Sequence, residues 1–255
     1  MLQAASVSPT AKIINIKDRN LLMLKKDLIL RHPLRSLGYK NDDILVQGGF
    51  GAVLARAGVG KTALLVQLAL NTMLRGKKVL HVSLNDPVGK VVVWYEELFQ
   101  HLAEQYHIER RKTLWEDILP ERFILTFKVE GFSVPRLEER LNDLMAQGIF
   151  APEMMIIDGL IFDGNVRNAL ADLKVLAEKH ALRLWFTVPI HRHIEEGRVG
   201  MPVPLLDVED LFEIVLLLST EKGETHIRTL KRSVIGESSP VFVLDPSSML
   251  IKDAS

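Results

Sequence analysis

One glycine-rich turn constrains the fold of this 255-residue chain more than any other feature. Residues 55–62 have the sequence Ala-Arg-Ala-Gly-Val-Gly-Lys-Thr. They follow the apolar run Gly51–Ala55, which predicts a buried strand, and they lead into a run from Lys61 to about Leu74 with apolar residues at helical spacing. The sequence therefore predicts a strand that turns sharply, through glycines, into a helix.

Short apolar runs alternate with amphipathic runs beyond this turn, which is typical of a parallel sheet with crossover helices. The predicted elements are strands at Val79–Leu84, Arg122–Val129, Met154–Ile157 and Leu182–Val188, helices at Val91–Tyr106, Pro135–Ala146 and Leu170–His180, and hairpins that join Glu213–Ser219 to Thr225–Leu230 and Val241–Leu244 to Met249–Lys252. We expect an α/β fold with a mostly parallel central sheet, flanking helices and antiparallel hairpins at its C-terminal edge.

The N-terminal part of the chain lacks this alternation. In residues 1–45, Lys, Asp and Pro interrupt every apolar run, which predicts an irregular arm that could dock on a neighbouring molecule. We expect residues 46–255 to form one folded domain.

Composition narrows the function classes. Lys plus Arg and Asp plus Glu both total 32, so net charge does not favour nucleic acid or an anionic membrane. The chain has no cysteine, which excludes disulfides and thiolate chemistry. The longest apolar run, Ile214–Leu218, is too short to cross a bilayer, and the N-terminus lacks the apolar core of a signal peptide. We expect a cytoplasmic protein with no membrane insertion.

The turn at residues 55–62 has the chemistry of a phosphate-binding loop. Gly58 and Gly60 allow successive backbone N–H groups to curl around an anion, and the N-terminus of the following helix favours negative charge. Lys61 would contact the β and γ phosphates, and the Thr62 hydroxyl would ligate Mg²⁺. This is the Walker A pattern with Ala at its first position. The predicted cofactors are ATP and Mg²⁺, held by Ala57, Gly58, Val59, Gly60, Lys61, Thr62 and Ala63.

A second element supports this prediction. The apolar run Met154–Ile157 ends in Asp158, about 100 residues after the turn, as in a Walker B strand whose carboxylate orients Mg²⁺ and its waters. Strand ends in open α/β sheets are also where ligands bind. Thr62 and Asp158 are the predicted metal residues.

With these two motifs, the chain resembles the RecA-like branch of the P-loop ATPases, and within it the single-domain proteins similar to KaiC and to the DnaB helicase core. Three looser matches extend the resemblance over roughly residues 33–252: the Gly-Gly lead-in of Pro33–Gly49, the core strand Lys78–Leu84, and the late strand Thr229–Arg232. The resemblance implies an ATPase that forms a homo-oligomer. It also implies that Lys231 and Arg232 reach a nucleotide held by the adjacent subunit.

The chain departs from the family at two catalytic positions. Where the family usually has a glutamate that polarises the attacking water, the sequence is Ser83-Leu84-Asn85-Asp86, and an Asn amide cannot accept a proton as a carboxylate does. Asp86 is the candidate replacement, whereas Glu96 and Glu97 are expected to be surface charges. Pro189 falls where the family commonly has a Gln that senses the γ-phosphate.

The segment 191–207 is long for a connection in a compact domain, which favours a functional loop. His191 and His193 could be a metal pair, but no third ligand has suitable spacing, so phosphate-side or surface histidines are the better interpretation. Arg192 and Arg198 are candidate phosphate or partner contacts. If the chain has a protein-partner site, we expect this loop or the N-terminal arm to form it. The loop has no aromatic residue for stacking on bases, so nucleic-acid binding is unsupported.

Four functions remain open at this point. The first is an oligomeric ATPase with Lys61, Asp86, Lys231 and Arg232 in catalytic roles. The second is a nucleotide-gated binding or regulatory module with little hydrolysis, which Asn85 and Pro189 favour. The third is a DNA recombination or helicase component, which the neutral net charge makes less favoured. The fourth is a phosphotransferase, which is less favoured because the C-terminal hairpins fit a RecA-like core better than the lid of a nucleoside kinase.

Overall fold

A computed structural model describes residues 16–31, 44–190, 201–221, 223–232 and 242–253 of the chain. The strands are β1 (Phe50–Ala55), β2 (Val79–Ser83), β3 (Arg122–Thr126), β4 (Met154–Asp158), β5 (Arg183–Pro189), β6 (Ile214–Glu221), β7 (Glu224–Arg232), β8 (Phe242–Leu244) and β9 (Ile251–Asp253). The helices are α1 (Ile16–Arg31), α2 (Lys61–Leu74), α3 (Val88–Gln105), α4 (Arg111–Ile118), α5 (Val134–Ala146), α6 (Val166–Lys179) and the single turn α7 (Val203–Leu206).

The strands form one nine-stranded sheet in the order β3-β2-β4-β5-β1-β6-β7-β8-β9. The strands from β3 to β6 in this order pair in parallel, and β7, β8 and β9 are added antiparallel at one edge. This arrangement confirms the expected α/β class, the mostly parallel sheet and the antiparallel C-terminal strands. Because parallel strands end at the same edge, the carboxyl ends of β1, β5, β4 and β2 are neighbours.

Apolar side chains cover both faces of the sheet, as a parallel sheet requires. On one face α2 and α3 pack over a cluster that includes Leu64, Leu68 and Phe99. On the other face α5 and α6 pack over a cluster that includes Leu137 and Leu173. All six residues of β1 are buried, so the strand that leads into the glycine turn lies in the middle of the core.

Close packing explains the glycine inside β1. A Cβ placed on Gly51 would lie 2.6 Å from ring carbons of Trp185 on the neighbouring strand β5, which is closer than any van der Waals contact allows. Glycine is thus required where the indole packs against the β1 backbone. This contact packs β5 against the first half of the strand that leads into the glycine turn.

The prediction of an irregular N-terminal arm was wrong for residues 16–31, which form α1. Leu28 is 1% exposed, and Leu21 and Leu24 pack against the same core cluster as α2. The side chain of Lys25 forms an ion pair with Asp117 of α4. The charged residues that interrupt the apolar run therefore did not prevent a helix, and its Leu21, Leu24 and Leu28 recur at helical spacing against the core.

The other predicted elements are present with small changes in their ends. β3 stops at Thr126, three residues earlier than expected, and a 3₁₀ turn occupies Val129–Gly131. The sequence analysis missed α4, whose Leu114 and Ile118 are fully buried although the helix has only eight residues. Val241 lies outside the described residues. Within the described ranges, no helix has the length and apolar character needed to span a bilayer.

Candidate functional site

A cavity of about 890 Å³ lies at the carboxyl edge of the sheet, where β1, β5, β4 and β2 end. Its walls come from the glycine turn, from the residues that follow β2 and β4, from the end of β5, and from α6 and α7. The lining residues that sequence analysis had singled out are Ala57, Gly58, Lys61, Thr62, Asn85, Asp86, Asp158 and Pro189. Motifs that lie about 100 residues apart in the chain thus meet in one cavity.

The glycine turn adopts backbone conformations that its sequence predicts. Gly58 has φ 79° and Gly60 has φ 107°, both in the region that favours glycine. A Cβ on Gly58 would meet nothing within 4 Å, whereas a Cβ on Gly60 would lie 2.8 Å from Leu244 Cδ2 and 2.9 Å from Met249 Cε. Gly58 is therefore open to the cavity, and Gly60 is packed beneath the C-terminal strands.

Two other residues that were predicted to hold the nucleotide, Val59 and Ala63, lie deeper than Gly58. Val59 packs partly buried against the core cluster under α2, and Ala63 is fully buried. Neither side chain lines the cavity, so any contact of Val59 or Ala63 with a ligand would come from the backbone. α2 begins at Lys61, immediately after the turn, and the Leu64 N–H donates to the Gly60 carbonyl at 2.9 Å.

Lys61 is folded back on the turn. Its Nζ donates to the backbone carbonyls of Ala55 and Arg56, at 2.9 Å each. Partial burial lowers the pKa of Lys61, and the negative charge of Asp158 opposes that shift. The ammonium group therefore lies at the cavity wall with carbonyl partners that a stronger anionic acceptor could replace.

Asp158 accepts hydrogen bonds from two threonine hydroxyls at once. Thr62 Oγ1 donates to Asp158 Oδ2 at 2.9 Å, and Thr187 Oγ1 donates to Asp158 Oδ1 at 2.7 Å. Thr187 Oγ1 also accepts from the Gly159 N–H at 3.0 Å, so β4, β5 and α2 are joined at this point. The carboxylate is held in one orientation next to the start of α2.

These oxygen donors fit Mg²⁺. The Thr62 hydroxyl and the Asp158 carboxylate are hard oxygen ligands, and magnesium in phosphate sites takes one or two protein groups together with phosphate oxygens and waters. The described part of the chain contains no cluster of three or more His, Asp or Glu residues that could hold a metal by themselves. The hydroxyl and the carboxylate of the predicted metal pair thus fit a magnesium ion that is also bound by phosphate oxygens and waters.

Ser83 at the end of β2 and the residues that follow it form another part of the cavity wall. The Ser83 hydroxyl donates to the Asp86 carbonyl at 2.9 Å and accepts from the Asp86 N–H at 3.0 Å. Asp86 Oδ1 accepts from Lys90 Nζ at 2.9 Å, and its side chain is 25% exposed at the cavity wall. A Cβ on Gly159 (φ 95°) would lie 2.3 Å from Asn85 Nδ2, so the Asn85 amide packs directly on the Gly159 backbone.

Three of the other predicted residues, Glu96, Glu97 and Lys231, do not line the cavity. Glu96 and Glu97 are exposed on α3 and line a separate surface depression. Lys231 and Arg232 are on β7, and Lys231 Nζ donates to the Glu209 carbonyl of its own chain. His191, Arg192, His193 and Arg198 lie outside the described residues.

Two residues that organise this site were missed by sequence analysis. Thr187 is the one polar residue in the buried run from Leu184 to Val188, and a lone hydroxyl in such a strand was the available signal. Gly159 directly follows Asp158 in the chain, and its φ of 95° favours glycine. The only sign of this in the sequence was its position after the carboxylate that ends the strand. Both act through contacts with distant parts of the chain.

A buried histidine lies on the site strand β2, below Ser83. His81 is fully buried, and its Nδ1 lies 3.2 Å from the Tyr95 hydroxyl. Burial lowers the pKa of His81 to about 4, so the ring is neutral at physiological pH. The Arg122 guanidinium lies over the Tyr95 ring, 4.6 Å from its centroid, and Coulomb repulsion from this cation also disfavours a charged His81.

Comparison with known proteins adds no assignment to this geometry: no protein-family model matches the chain, and no curated protein matches it significantly.

Proposed function

We propose that the chain binds Mg-ATP in this cavity, as a P-loop protein of RecA-like architecture. The observation that carries the proposal is the 2.9 Å hydrogen bond from the Thr62 hydroxyl to Asp158, at the start of the helix that follows an open glycine turn. In a Walker site the same hydroxyl and carboxylate belong to the magnesium shell. The sheet order, with the turn after a central strand and antiparallel strands at one edge, supports the RecA-like assignment.

Each group has a distinct role in this proposal. The amides of residues 57–63 surround the β and γ phosphates, and Gly58 leaves the approach open. Lys61 exchanges its two carbonyl partners for phosphate oxygens, which are stronger acceptors. Asp158 and Thr62 orient Mg²⁺, and Thr187 fixes the carboxylate from the other side.

We further propose that the bound ATP is hydrolysed slowly, with Asp86 as the base that orients water. Asp86 lines the cavity, but its pairing with Lys90 occupies one carboxylate oxygen. Asn85, at the usual glutamate position, is a neutral amide packed on Gly159. These two features also favour the alternative, a nucleotide-gated regulatory module in which ATP is a structural ligand.

Oligomer formation belongs to the same proposal. Lys231 and Arg232 lie on β7, and Lys231 does not line the cavity of its own chain, as expected of a cation that would serve a neighbouring subunit. Lys231 would have to leave the Glu209 carbonyl to do so. Nucleotide-dependent assembly, measured by light scattering with and without Mg-ATP, tests this part.

The experiment that tests the function combines calorimetric titration with Mg-ATP and a phosphate-release assay. We expect saturable binding and slow release in the wild type, with release abolished and binding retained in Asp86→Asn. Asp172→Asn, an exposed carboxylate on α6, is the matched control and should behave as wild type. Tight binding without any release above background in the wild type would select the regulatory module, and no binding would reject both.

A further inference from the structure

Asp86, the proposed base, lies in the short connection between β2 and α3. β2 ends at Ser83, and α3 begins at Val88, directly after Pro87. A carboxylate in such a connection keeps one position only if the backbone around it is fixed, and a displacement of about 1 Å can lower the rate of a catalysed step by about a hundredfold. The groups that fix residues 84–87 therefore decide whether Asp86 can orient water.

The Ser83 hydroxyl binds both backbone groups of Asp86. It donates to the Asp86 carbonyl at 2.9 Å and accepts from the Asp86 N–H at 3.0 Å. Ser83 is only 1% exposed, so these two bonds are sheltered from water, and both are lost in a variant without the hydroxyl. One buried side chain thus holds the residue that carries the carboxylate.

Ser83 is itself fixed by the strands on both sides of β2. It pairs with Asp158 of β4 and with Thr126 of β3. The N–H of the next residue, Leu84, donates to the Asp158 carbonyl at 2.9 Å. The hydroxyl that anchors Asp86 and the proposed Mg²⁺ carboxylate therefore lie on the same pair of strands, at the same level of the sheet.

The carboxylate of Asp86 has a weaker restraint of its own. Lys90 Nζ donates to Asp86 Oδ1 at 2.9 Å, but the Lys90 side chain is 59% exposed and the Asp86 side chain 25%. Ion pairs at such exposed positions contribute little, because water and salt screen them. The backbone anchor at Ser83 should therefore position Asp86 more strongly than the ion pair does.

We propose that Ser83 is the positioning residue for Asp86, because its buried hydroxyl sets where the Asp86 carboxylate stands in the cavity relative to Asp158. The hydrogen of this hydroxyl is used by the Asp86 carbonyl, so Ser83 acts through Asp86. The role in turnover rests on the proposed hydrolysis of ATP, whereas the anchoring of Asp86 does not depend on a nucleotide. Loss of the hydroxyl should lower the turnover rate and spare ATP affinity, because the proposed phosphate and Mg²⁺ contacts come from other residues.

The test compares Ser83→Ala and Ser83→Thr with the wild type. Phosphate release at saturating Mg-ATP gives the turnover rate, and calorimetric titration with Mg²⁺ and a non-hydrolysable ATP analogue gives the affinity. In Ser83→Ala we expect a turnover rate about tenfold lower and an affinity within about twofold of the wild type. Ser83→Thr keeps the hydroxyl and should restore most of the rate. Thr126→Ala removes an exposed hydroxyl at the paired position of β3 and is the matched control, with wild-type behaviour expected.

Amide hydrogen exchange without nucleotide tests the anchor separately. The Asp86 N–H should exchange about tenfold faster in Ser83→Ala than in the wild type, whereas the Leu84 N–H should keep its wild-type rate. Equal exchange at Asp86 in both proteins would overturn the anchor. A wild type that releases no phosphate would reject the proposed hydrolysis and the role of Ser83 in turnover, and the exchange rates would still decide the anchor.

Lys90→Met ranks the two restraints on Asp86. Its turnover rate should differ from the wild type by less than about fivefold, and by less than that of Ser83→Ala. A larger loss in Lys90→Met than in Ser83→Ala would assign the positioning to the ion pair and overturn the proposal. An unaltered rate in Ser83→Ala, or a parallel loss of rate and affinity there, would overturn it as well.

Discussion

Thr62 and Asp158 are 96 residues apart in the chain, and the Thr62 hydroxyl donates to Asp158 Oδ2 at 2.9 Å. The bond joins the first turn of α2 to the carboxyl end of β4, across the intervening strand β5. Thr187 on β5 donates to the other oxygen of the same carboxylate. Three elements are therefore held together at the point where the proposed Mg²⁺ would bind.

Replacing the carboxylate tests its proposed role towards the metal. In Asp158→Asn we expect the affinity for ATP in the presence of Mg²⁺ to fall about tenfold to hundredfold, because the amide cannot balance the metal's charge. Affinity in excess chelator should change little. Calorimetry with and without Mg²⁺ measures both, and Asp172→Asn is the matched control; an equal loss in both conditions would indicate damage to the fold instead.

The contact between Gly159 and Asn85 predicts a large effect of one added methyl group. Gly159 has φ 95°, and a Cβ there would lie 2.3 Å from Asn85 Nδ2, so Gly159→Ala should lower the free energy of unfolding by about 1 to 3 kcal/mol. Gly164→Ala is the control, because a Cβ at Gly164 meets nothing within 4 Å. Urea unfolding of both variants measures the difference, and equal stability would show that the Gly159 contact is not required.

Gln67 connects α2, the helix that follows the glycine turn, to the C-terminal strands. Its side chain is buried, donates to the Met249 carbonyl at 2.8 Å and accepts from the Ile251 N–H at 2.9 Å. Gln67→Met should therefore lower the free energy of unfolding by about 1 to 3 kcal/mol, because it leaves buried backbone groups without partners.

The same substitution should also weaken ATP binding, since Met249 and Leu244 pack against Gly60 of the turn. Gln100→Met, on the exposed side of α3, is the control and should change neither quantity. Urea unfolding and Mg-ATP titration check the two effects. An unaltered ATP affinity in a destabilised Gln67→Met protein would show that the C-terminal strands do not support the turn.

His81 predicts a pH dependence of stability. Burial lowers its pKa from 6.5 to about 4, so between these values the unfolded chain binds a proton that the folded chain does not. The free energy of unfolding should thus fall as pH drops from about 6.5 to about 4, by an amount on the order of 3 kcal/mol from this residue, and the contribution should level off below. Urea unfolding at several pH values should show a smaller acid-side loss in His81→Gln. The exposed His107→Asn should keep the wild-type slope.

The sequence predicted those parts of the structure that depend on local patterns. The turn at residues 55–62 and the strand Met154–Asp158 were identified because glycine spacing and an apolar run that ends in a carboxylate are local features. Their meeting was expected from the resemblance and from the edge rule for parallel strands. α1 was missed because charged residues stand among its leucines and keep every apolar run in this part of the sequence short.

Contacts between distant segments could not be predicted in the same way. Thr187 and Gly159 lie 28 residues apart and meet only because β4 and β5 are adjacent. The link from Gln67 to Ile251 spans 184 residues. Arg167 and Asp210 pair across segments that have no shared pattern in the sequence. Such pairs follow from the packed fold, and no motif in this chain marks them.

The most direct test of the central proposal is a calorimetric titration of the wild type and of Lys61→Ala with Mg-ATP. Saturable binding is expected in the wild type, with an affinity loss of about a hundredfold in Lys61→Ala, because a charge-assisted contact to phosphate disappears. Lys112→Ala, an exposed lysine on α4, should bind like the wild type. Binding of equal strength in Lys61→Ala and the wild type, or no heat and no thermal shift in any variant, would contradict the account.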